Sequence, residues 1–378
     1  MGERIPAEVF PPGEVIKEEL EARGWSQVEL ADIMGRPPRV VSEIISGKRA
    51  ITPETAKGLG AAFGTGGTFW INLEGSYQLS KTIHDDQVVE RRAKLYGSAP
   101  VKEMIKRGWI RYSDNIVVLE RQVCSFLNVS TIDEQPRHAY AAYEGGKSDS
   151  DLCQAATWAW FYRVRQIAQS ISVPTYSGNA LREAVEHLKL LLLEPEESRH
   201  VPRILAECGV RFVIVEKLPH VDIDGVCFWL NEQPVIGMSV RRDKIDNFWF
   251  VLRHEIEHVL NGHGREKAII DTNLEGKRAS ADDPSLSEEE RVANAAAGDF
   301  CVPKQKMDSF MIRKHPFFYE KDVVAFARVV NRHPGIVVGQ MQFRLDNYAY
   351  LTKRIAKIRQ FVLPGAIVDG WGQTAEIA

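Results

Sequence analysis

The chain lacks several features that would assign it to a specialised class of protein. Its five cysteines are scattered through 378 residues without a C-x-x-C pair, which favours reduced thiols over a disulfide framework. It has no run of about 18 apolar residues, so we expect no membrane span. The N-terminus, MGERIPAEVF, lacks the basic-then-apolar order of a signal peptide. These absences predict a cytoplasmic protein.

The composition is ordinary for a globular chain that forms two or three domains. Hydrophobic residues make up 44% and charged residues 26%, which excludes a disordered or membrane-embedded class. The formal net charge of −3 indicates no strongly charged partner for the chain as a whole. Function must therefore be sought in local motifs.

The stretch from Phe248 to Gly262, FWFVLRHEIEHVLNG, predicts a helix that is apolar on nearly every side and hence buried. It nevertheless contains His254, Glu255 and His258, and burying such groups without partners costs several kcal/mol. Histidines four residues apart share one helix face, so both imidazoles can reach one metal ion, and Glu255 can touch its water. This H-E-x-x-H pattern is typical of zinc peptidases. The alternative is a buried helix whose histidines bond to backbone carbonyl groups.

A third ligand is expected on a second helix further along the chain. The polar segment from Ile270 to Ser287 predicts a long loop, and an alanine-rich helix that ends at Pro303 follows it. Within that helix Glu290 can bind a metal ion, and Asn294 can hydrogen-bond a metal-bound histidine. The alternative for Glu290 is a capping box with Ser287, and spacing alone does not decide between them. Three protein ligands would leave a fourth position for water, as in catalytic zinc sites.

Six segments between Arg203 and Arg344 resemble the ImmA/IrrE-type metallopeptidases in content and order. They are RILAECGVRFVIVEKLP, DIDGVCFWL, PVIGMSV, FWFVLRHEIEHVLNGH, ERVAN and HPGIVVGQMQFR. The chain departs from the family pattern at Val292 and at Ala296-Ala297, where a second Glu and Phe-Ala are usual.

This resemblance implies a Zn²⁺ ion bound by His254, His258 and Glu290. It also implies that Glu255 is the general base for the hydrolysis of a peptide bond, with Asn294 supporting a ligand. The expected activity is that of a zinc metalloendopeptidase.

Residues 13–78 predict a series of short helices with clear start and stop signals. Ser26 begins a helix that ends at Gly35, and after a short turn a second helix ends at Gly47. Two short helices joined by a tight turn form a helix-turn-helix, whose second helix enters the DNA major groove.

The charge of this region is local rather than general. Residues 1–80 contain 8 Lys and Arg against 11 Asp and Glu, which is not the basic balance usual for DNA-binding domains. Positive residues do surround the second helix, at positions suited to phosphate contacts. They are Arg36, Arg39, Lys48 and Arg49. The alternative is a helical interaction domain with a solvated charged face.

The segment from Phe10 to Leu79 resembles HigA-type antitoxins, which are Cro-like helix-turn-helix repressors. The resemblance implies a homodimer on palindromic operator DNA, with a toxin as a further partner. The segment Phe69–Glu74 is apolar on one side, which makes it a candidate dimer or interdomain seam. It also implies DNA contacts. These are Gln27 at a phosphate, Arg36, Arg39, Val40, Ser42 and Glu43 in or beside the groove, and Lys48 and Arg49 on the backbone.

We therefore predict a mainly α protein with a small β-sheet, of the α+β class. The expected organisation is a helix-turn-helix domain at 1–79, a helical connecting segment at 80–175 and an ImmA/IrrE-like, zincin-like metallopeptidase domain at 176–378. The expected function is a DNA-binding regulator or antitoxin whose zinc-dependent domain cleaves a regulatory protein or the chain itself. The alternative is a non-catalytic antitoxin and autorepressor whose C-terminal domain binds a toxin or senses a ligand.

Overall fold

The structure is a computed structural model that describes residues 10–81, 86–134, 151–274 and 283–376. The chain divides into two units, residues 1–89 and residues 90–378. Helix α6 contains the boundary between them.

The first unit is entirely helical over its described residues. Its helices are α1 (Pro12–Arg23), α2 (Gln27–Met34), α3 (Pro38–Ile45), α4 (Pro53–Phe63) and α5 (Gly67–Lys81).

Local sequence explains where the short helix α2 begins and ends. The Ser26 side chain accepts a hydrogen bond from the Glu29 backbone N–H, and the Glu29 carboxylate accepts one from the Ser26 backbone N–H. This reciprocal capping box satisfies two backbone donors that the first helical turn leaves free. Gly35 ends the helix with φ of 61°, a left-handed conformation that glycine adopts without strain.

The core of the first unit forms around Trp70, which is fully buried. Its indole packs against Phe63 in a tilted arrangement, with ring centroids 5.7 Å apart, and its N–H donates to Thr65. Of the seam expected at Phe69–Glu74, Trp70 and Glu74 are thus buried within their own unit, whereas Phe69 is 44% exposed. Most of the apolar surface of this segment is used for packing inside the unit.

The second unit combines helices with one sheet. The remaining helices are α6 (Asp86–Ser98), α7 (Val101–Lys106), α8 (Ile116–Leu127), α9 (Asp151–Ser170), α10 (Gly178–Leu188), α11 (Val201–Glu207), α12 (Ile245–Leu260), α13 (Glu288–Cys301), α14 (Lys304–Lys314), α15 (Glu320–Val329), α16 (Pro334–Leu345) and α17 (Arg359–Val362). The strands are β1 (Arg211–Val215), β2 (Ile223–Leu230), β3 (Gln233–Met238), β4 (Ile269–Thr272) and β5 (Ile367–Asp369).

The sheet is mixed, with strand order β4-β2-β3-β1-β5. Strand β1 pairs in parallel with β3 and β5, while β2 pairs antiparallel with β3 and β4. Strand β4 corrects the prediction that Ile270 begins a long loop, because Ile270 and Asp271 pair with Val226 and Gly225 of β2. Part of that expected loop, residues 275–282, lies outside the described residues.

Helices pack on the sheet, and two glycines in its strands allow close approach. A Cβ atom on Gly237 would lie 2.6 Å from the Val164 side chain of α9, and one on Gly225 would lie 1.9 Å from the Glu255 carboxylate of α12. The Trp160 indole of α9 also donates to the Val215 carbonyl of β1 at 2.9 Å. Helix α9, from the segment expected to connect two domains, is therefore part of the core of the second unit.

These observations confirm the predicted class, a mainly α protein with a small sheet. The five cysteines all lie within the described residues, where they are buried and form no disulfide. Within the same ranges, no helix has the length and hydrophobicity that a bilayer span requires.

Candidate metal centre and nucleic-acid interface

Helix α12 brings its two histidines together in the interior of the second unit. His254 and His258 are fully buried, and their Nε2 atoms lie 3.0 Å apart. Their spacing of one helical turn explains this approach, because residues i and i+4 lie one above the other on a helix.

Helix α13 adds a carboxylate to this pair. Glu290 Oε2 lies 3.3 Å from His254 Nε2, and Glu290 Oε1 lies 3.3 Å from His258 Nε2. The Ser287 side chain accepts a hydrogen bond from the Glu290 backbone N–H and so caps the helix. Ligation and capping are thus compatible: the cap uses the Glu290 backbone, while the carboxylate faces the two imidazoles.

A second carboxylate, which the sequence analysis did not identify, comes from β4. Asp271 Oδ2 lies 3.4 Å from His254 Nε2 and 3.9 Å from His258 Nε2. Ligand atoms of His254, His258, Asp271 and Glu290 all lie within 4.8 Å of one another, and all four residues are buried. The one sequence feature that points to Asp271 is its position directly after the apolar run Ala268–Ile270.

Two outer residues orient the imidazoles. His254 Nδ1 lies 3.0 Å from Asn294 Oδ1, to which it donates, and His258 Nδ1 lies 3.0 Å from His263 Nδ1. A proton on His254 Nδ1 leaves the lone pair on Nε2, the nitrogen that faces the carboxylates. Outer hydrogen bonds of this type fix the tautomer of metal-binding histidines.

The electrostatics of the cluster favour positive charge at its centre. Burial disfavours an imidazolium at His254, but Asp271 and Glu290 outweigh burial and raise the pKa of His254 well above its usual value. Burial alone would raise the pKa of Glu290, yet hydrogen bonds with His254 and His258 hold that pKa below its usual range. Protons or a metal cation can supply this positive charge.

The chemistry of the donor atoms fits a metal ion such as zinc, which takes imidazole nitrogen and carboxylate oxygen. Asp271 Oδ2 is buried, and its closest approach to the two imidazoles is the 3.4 Å distance to His254 Nε2. Leaving such an oxygen unsatisfied costs about 1–3 kcal/mol or more, and a cation within reach of it removes that cost.

Glu255 occupies a distinct position beside the cluster. It is fully buried, and neither carboxylate oxygen has a hydrogen-bond partner. Burial, and next the negative charge of Asp271, raise the pKa of Glu255 well above its usual value. A carboxyl group in this state readily holds a proton, as a general acid and base must.

In the first unit, the residues expected to contact DNA lie on α2, on α3 and in the segments that follow these helices. Gln27, Arg39, Ser42, Lys48 and Arg49 are exposed. The other three, Arg36, Val40 and Glu43, are half-buried.

Acidic side chains form ion pairs with three of the arginines that are expected to contact DNA. Glu43 accepts hydrogen bonds from Arg39 Nε at 2.8 Å and from Arg49 Nε at 2.9 Å, and Arg36 pairs with Glu54 at 2.5 Å. The hydrogen bonds from Arg39 and then Arg49 lower the pKa of Glu43. These residues are close together in the sequence, but the sequence does not show that Glu43 links the two arginines.

Comparison with known proteins assigns a family to this unit. A helix-turn-helix family model matches residues 16–70. The uncharacterized HTH-type transcriptional regulator YddM of Escherichia coli K12 is 34% identical over 70 residues, which cover 18% of this chain and 74% of that protein. Virulence-associated protein I of Dichelobacter nodosus is 34% identical over 79 residues, which cover 21% of this chain and 73% of that protein.

Two solved structures are also similar to part of the chain. One, from Nostoc punctiforme, is described as an antidote protein of a plasmid maintenance system. It is 29% identical, the match covers 23% of this chain and 96% of that chain, and the TM-score is 0.21. The other is an addiction module antidote protein of a HigA family from Coxiella burnetii. It is 37% identical, the match covers 19% of this chain and 79% of that chain, and the TM-score is 0.19.

The helices and the family match together define the first unit as a helix-turn-helix domain. Through residues 16–70 the chain belongs to the helix-turn-helix family.

Proposed function

We propose that the protein is a DNA-binding regulator whose second unit is a zinc-dependent peptidase. The observation that supports the peptidase most directly is the buried convergence of His254, His258, Asp271 and Glu290, beside the unpartnered carboxylate of Glu255. The resemblance of residues 203–344 to ImmA/IrrE-type metallopeptidases agrees with it.

In this proposal the chain's own residues bind the cation and move the proton. His254, His258 and Glu290 hold the ion, while Asn294 and His263 fix the orientation of the two imidazoles. A bound zinc ion would supply Lewis acidity that activates water and polarises a carbonyl group. Glu255 accepts the proton of the attacking water at a carboxylate oxygen and returns it to the departing amine.

The raised pKa of Glu255 suits this double role. Without a bound ion, burial and then the negative charge of Asp271 raise the pKa of Glu255. A cation at the neighbouring cluster would favour the ionised form of Glu255, which accepts the proton of the water.

The first unit supplies binding to operator DNA. Helix α3 presents Arg39 and Ser42 to solvent, where the second helix of a helix-turn-helix reaches base edges. The remaining donors of Arg39 and Arg49, beyond those that Glu43 engages, are available for phosphate oxygens. A homodimer on a palindromic operator and a toxin or protein substrate as a partner belong to this proposal.

Metal analysis of purified protein tests the peptidase directly. We expect about one zinc ion per chain in the wild type, little in His258→Ala, and full occupancy without hydrolysis in Glu255→Gln. Hydrolysis is assayed on the proteins encoded next to this chain's gene, and on the chain itself. Full zinc occupancy in a double variant, His254→Ala with His258→Ala, contradicts the site.

A second candidate function is a non-catalytic antitoxin and autorepressor, with a metal that only stabilises the second unit. The similarity of the first unit to antidote proteins favours it. A zinc-loaded wild-type protein that cleaves none of the proteins assayed, but still represses its own operator, would support this alternative over the peptidase.

A further inference from the structure

Asp271 is positioned by the sheet rather than by either metal-site helix. In the antiparallel ladder of β2 and β4, Asp271 lies directly opposite Gly225. A Cβ atom on Gly225 would point into Glu255, so the Gly225–Asp271 pair faces α12. Asp271 is 5% exposed. The pairing of β4 with β2 therefore places the Asp271 carboxylate beside the two histidines, inside the core.

Hydrogen bonds also anchor the end of β4. The Leu274 backbone N–H donates to Asp224 Oδ2 at 2.8 Å, and the Asn273 backbone N–H donates to the Asp222 carbonyl. Arg241 holds the Asp224 carboxylate through two nitrogens, at 2.7 and 3.1 Å. The strand that contains Asp271 is therefore paired with β2 along its length and held by these bonds at its C-terminal end, which limits how far Asp271 can move.

We propose that Asp271 is a fourth protein ligand of the metal ion. The inference rests on the zinc site proposed above and adds a residue to it. In a tetrahedral zinc site with bonds of about 2.0–2.1 Å, neighbouring ligand atoms are about 3.4 Å apart. The single oxygen Asp271 Oδ2 lies 3.4 Å from His254 Nε2 and 3.9 Å from His258 Nε2. Glu290 approaches the same nitrogens with two different oxygens, Oε2 and Oε1, each at 3.3 Å.

The charges of this set are matched to a divalent cation. Two ionised carboxylates, Asp271 and Glu290, balance the charge of one dication, while His254 and His258 contribute neutral nitrogen donors. Hard oxygen donors with imidazole favour zinc over soft ions such as Cu(I).

A fourth protein ligand changes how the site operates. Hydrolytic zinc sites keep one position for water, whereas sites with four protein ligands are closed. With Asp271 as a fourth ligand, the centre would be closed to water. Peptide hydrolysis would then require that Asp271 leaves the ion or that a fifth ligand joins it.

Cobalt(II) substitution measures the number of protein ligands without an activity assay. The full-length wild type is loaded with Co²⁺ and compared with Asp271→Ala, Asp271→Asn and the control Glu289→Gln, which removes an exposed carboxylate from the residue next to Glu290. Azide is titrated into each protein while the visible absorption bands of Co²⁺ are followed. Circular dichroism checks that each variant is folded. If Asp271→Ala does not fold, Asp271→Asn, which preserves the shape of the side chain, provides the test.

We expect azide to leave the wild-type and Glu289→Gln spectra unchanged and to shift those of the Asp271 variants, which offer an open position. Competition with a chelator should show Co²⁺ bound at least about tenfold more weakly by the Asp271 variants, since even outer residues contribute 10–100-fold. Equal azide shifts in all four proteins, or equal affinities, would overturn the role of Asp271 while leaving the zinc site intact. If the wild type binds no Co²⁺, the proposed metal site itself fails.

Discussion

Gly225 lies directly beneath the carboxylate of Glu255. A Cβ atom at position 225 would be 1.9 Å from Glu255 Oε1, a distance that no real Cβ contact adopts. The glycine in β2 thus creates the space in which the fully buried side chain of Glu255 resides. The same glycine pairs with Asp271, so one backbone position determines the surroundings of two carboxylates.

This relationship predicts the effect of Gly225→Ala. The new methyl group must displace Glu255, and overpacking of this kind costs about 1–3 kcal/mol in the free energy of unfolding. Any hydrolytic activity should be lost because Glu255 leaves its place, while the proposed zinc ligands remain. Urea denaturation and metal analysis of the variant measure the two effects.

Gly75→Ala is the matched control, because a Cβ atom there would meet nothing within 4 Å. Gly75 lies inside helix α5, where alanine should stabilise the protein by about 0.5–1 kcal/mol. A Gly225→Ala protein as stable as the wild type would show that the space above β2 is not needed.

A second prediction concerns the removal of metal. A ligand that binds only the native state stabilises it, by about 2.7 kcal/mol at a concentration one hundred times its Kd. We expect excess zinc to raise, and a chelator to lower, the thermal unfolding temperature of the second unit. The double variant of His254→Ala with His258→Ala should respond to neither. A wild-type melting curve unaffected by zinc would argue against a native metal site.

The local features of the candidate metal site could be predicted from the sequence because helical spacing is local. The spacing of His254 and His258 places both on one face of α12, and that of Glu290 and Asn294 does the same on α13. Asp271 could not be predicted in this way. Its place depends on which residue of β2 faces it, and strand register is set by tertiary pairing rather than by neighbours in the sequence.

Of the two ion pairs that Glu43 makes, only one could be predicted from the sequence. Arg39 and Glu43 are four residues apart on the helix, so their pairing follows from helical geometry. The contact of Arg49 with the same carboxylate depends on how the chain turns after the helix ends. The strand at Ile269–Thr272 was missed because it is short and the residues after it are polar.

A third prediction is the pH dependence of the metal-free protein. The raised pKa of His254 means that the native state keeps a proton there which the unfolded chain loses near pH 6.5. This contribution to stability is complete below about pH 6.5 and is lost as the pH rises through the raised pKa. The raised pKa of Glu255 acts with the same sign. Urea denaturation of chelator-treated protein between about pH 6 and 9 should show falling stability.

Zinc should reverse this trend, because a metal ion displaces the proton from His254 and binds more tightly as the pH rises. Calorimetry in buffers of different ionisation enthalpy should detect proton release on zinc binding. The His254→Ala variant isolates the histidine, and its metal-free stability should fall less with pH. Identical slopes in this variant and in the wild type would exclude His254 as the source.

The last prediction concerns DNA and the two arginines that Glu43 holds. Arg39 is exposed on α3 and donates to Glu43, as does Arg49. If Arg39 contacts a phosphate, Arg39→Ala should weaken binding to all sequences and reduce the slope of log affinity against log salt by about one. If it contacts a base, the loss should be about 1–3 kcal/mol and confined to the operator. Glu43→Gln removes the negative charge between the two arginines, so it should strengthen binding to non-operator DNA.

Gel-shift titrations on the region upstream of the gene, repeated at several salt concentrations, separate these outcomes. Lys17→Ala is the matched control, since Lys17 is an exposed cation on α1, among the acidic residues Glu14, Glu18, Glu19 and Glu21 and away from α3 in the sequence. It should change neither the affinity nor the salt slope. Phosphate contacts are strongest at low salt. If the full-length protein binds no DNA at low salt, the proposed repressor function is therefore wrong, independently of the results at the candidate metal site.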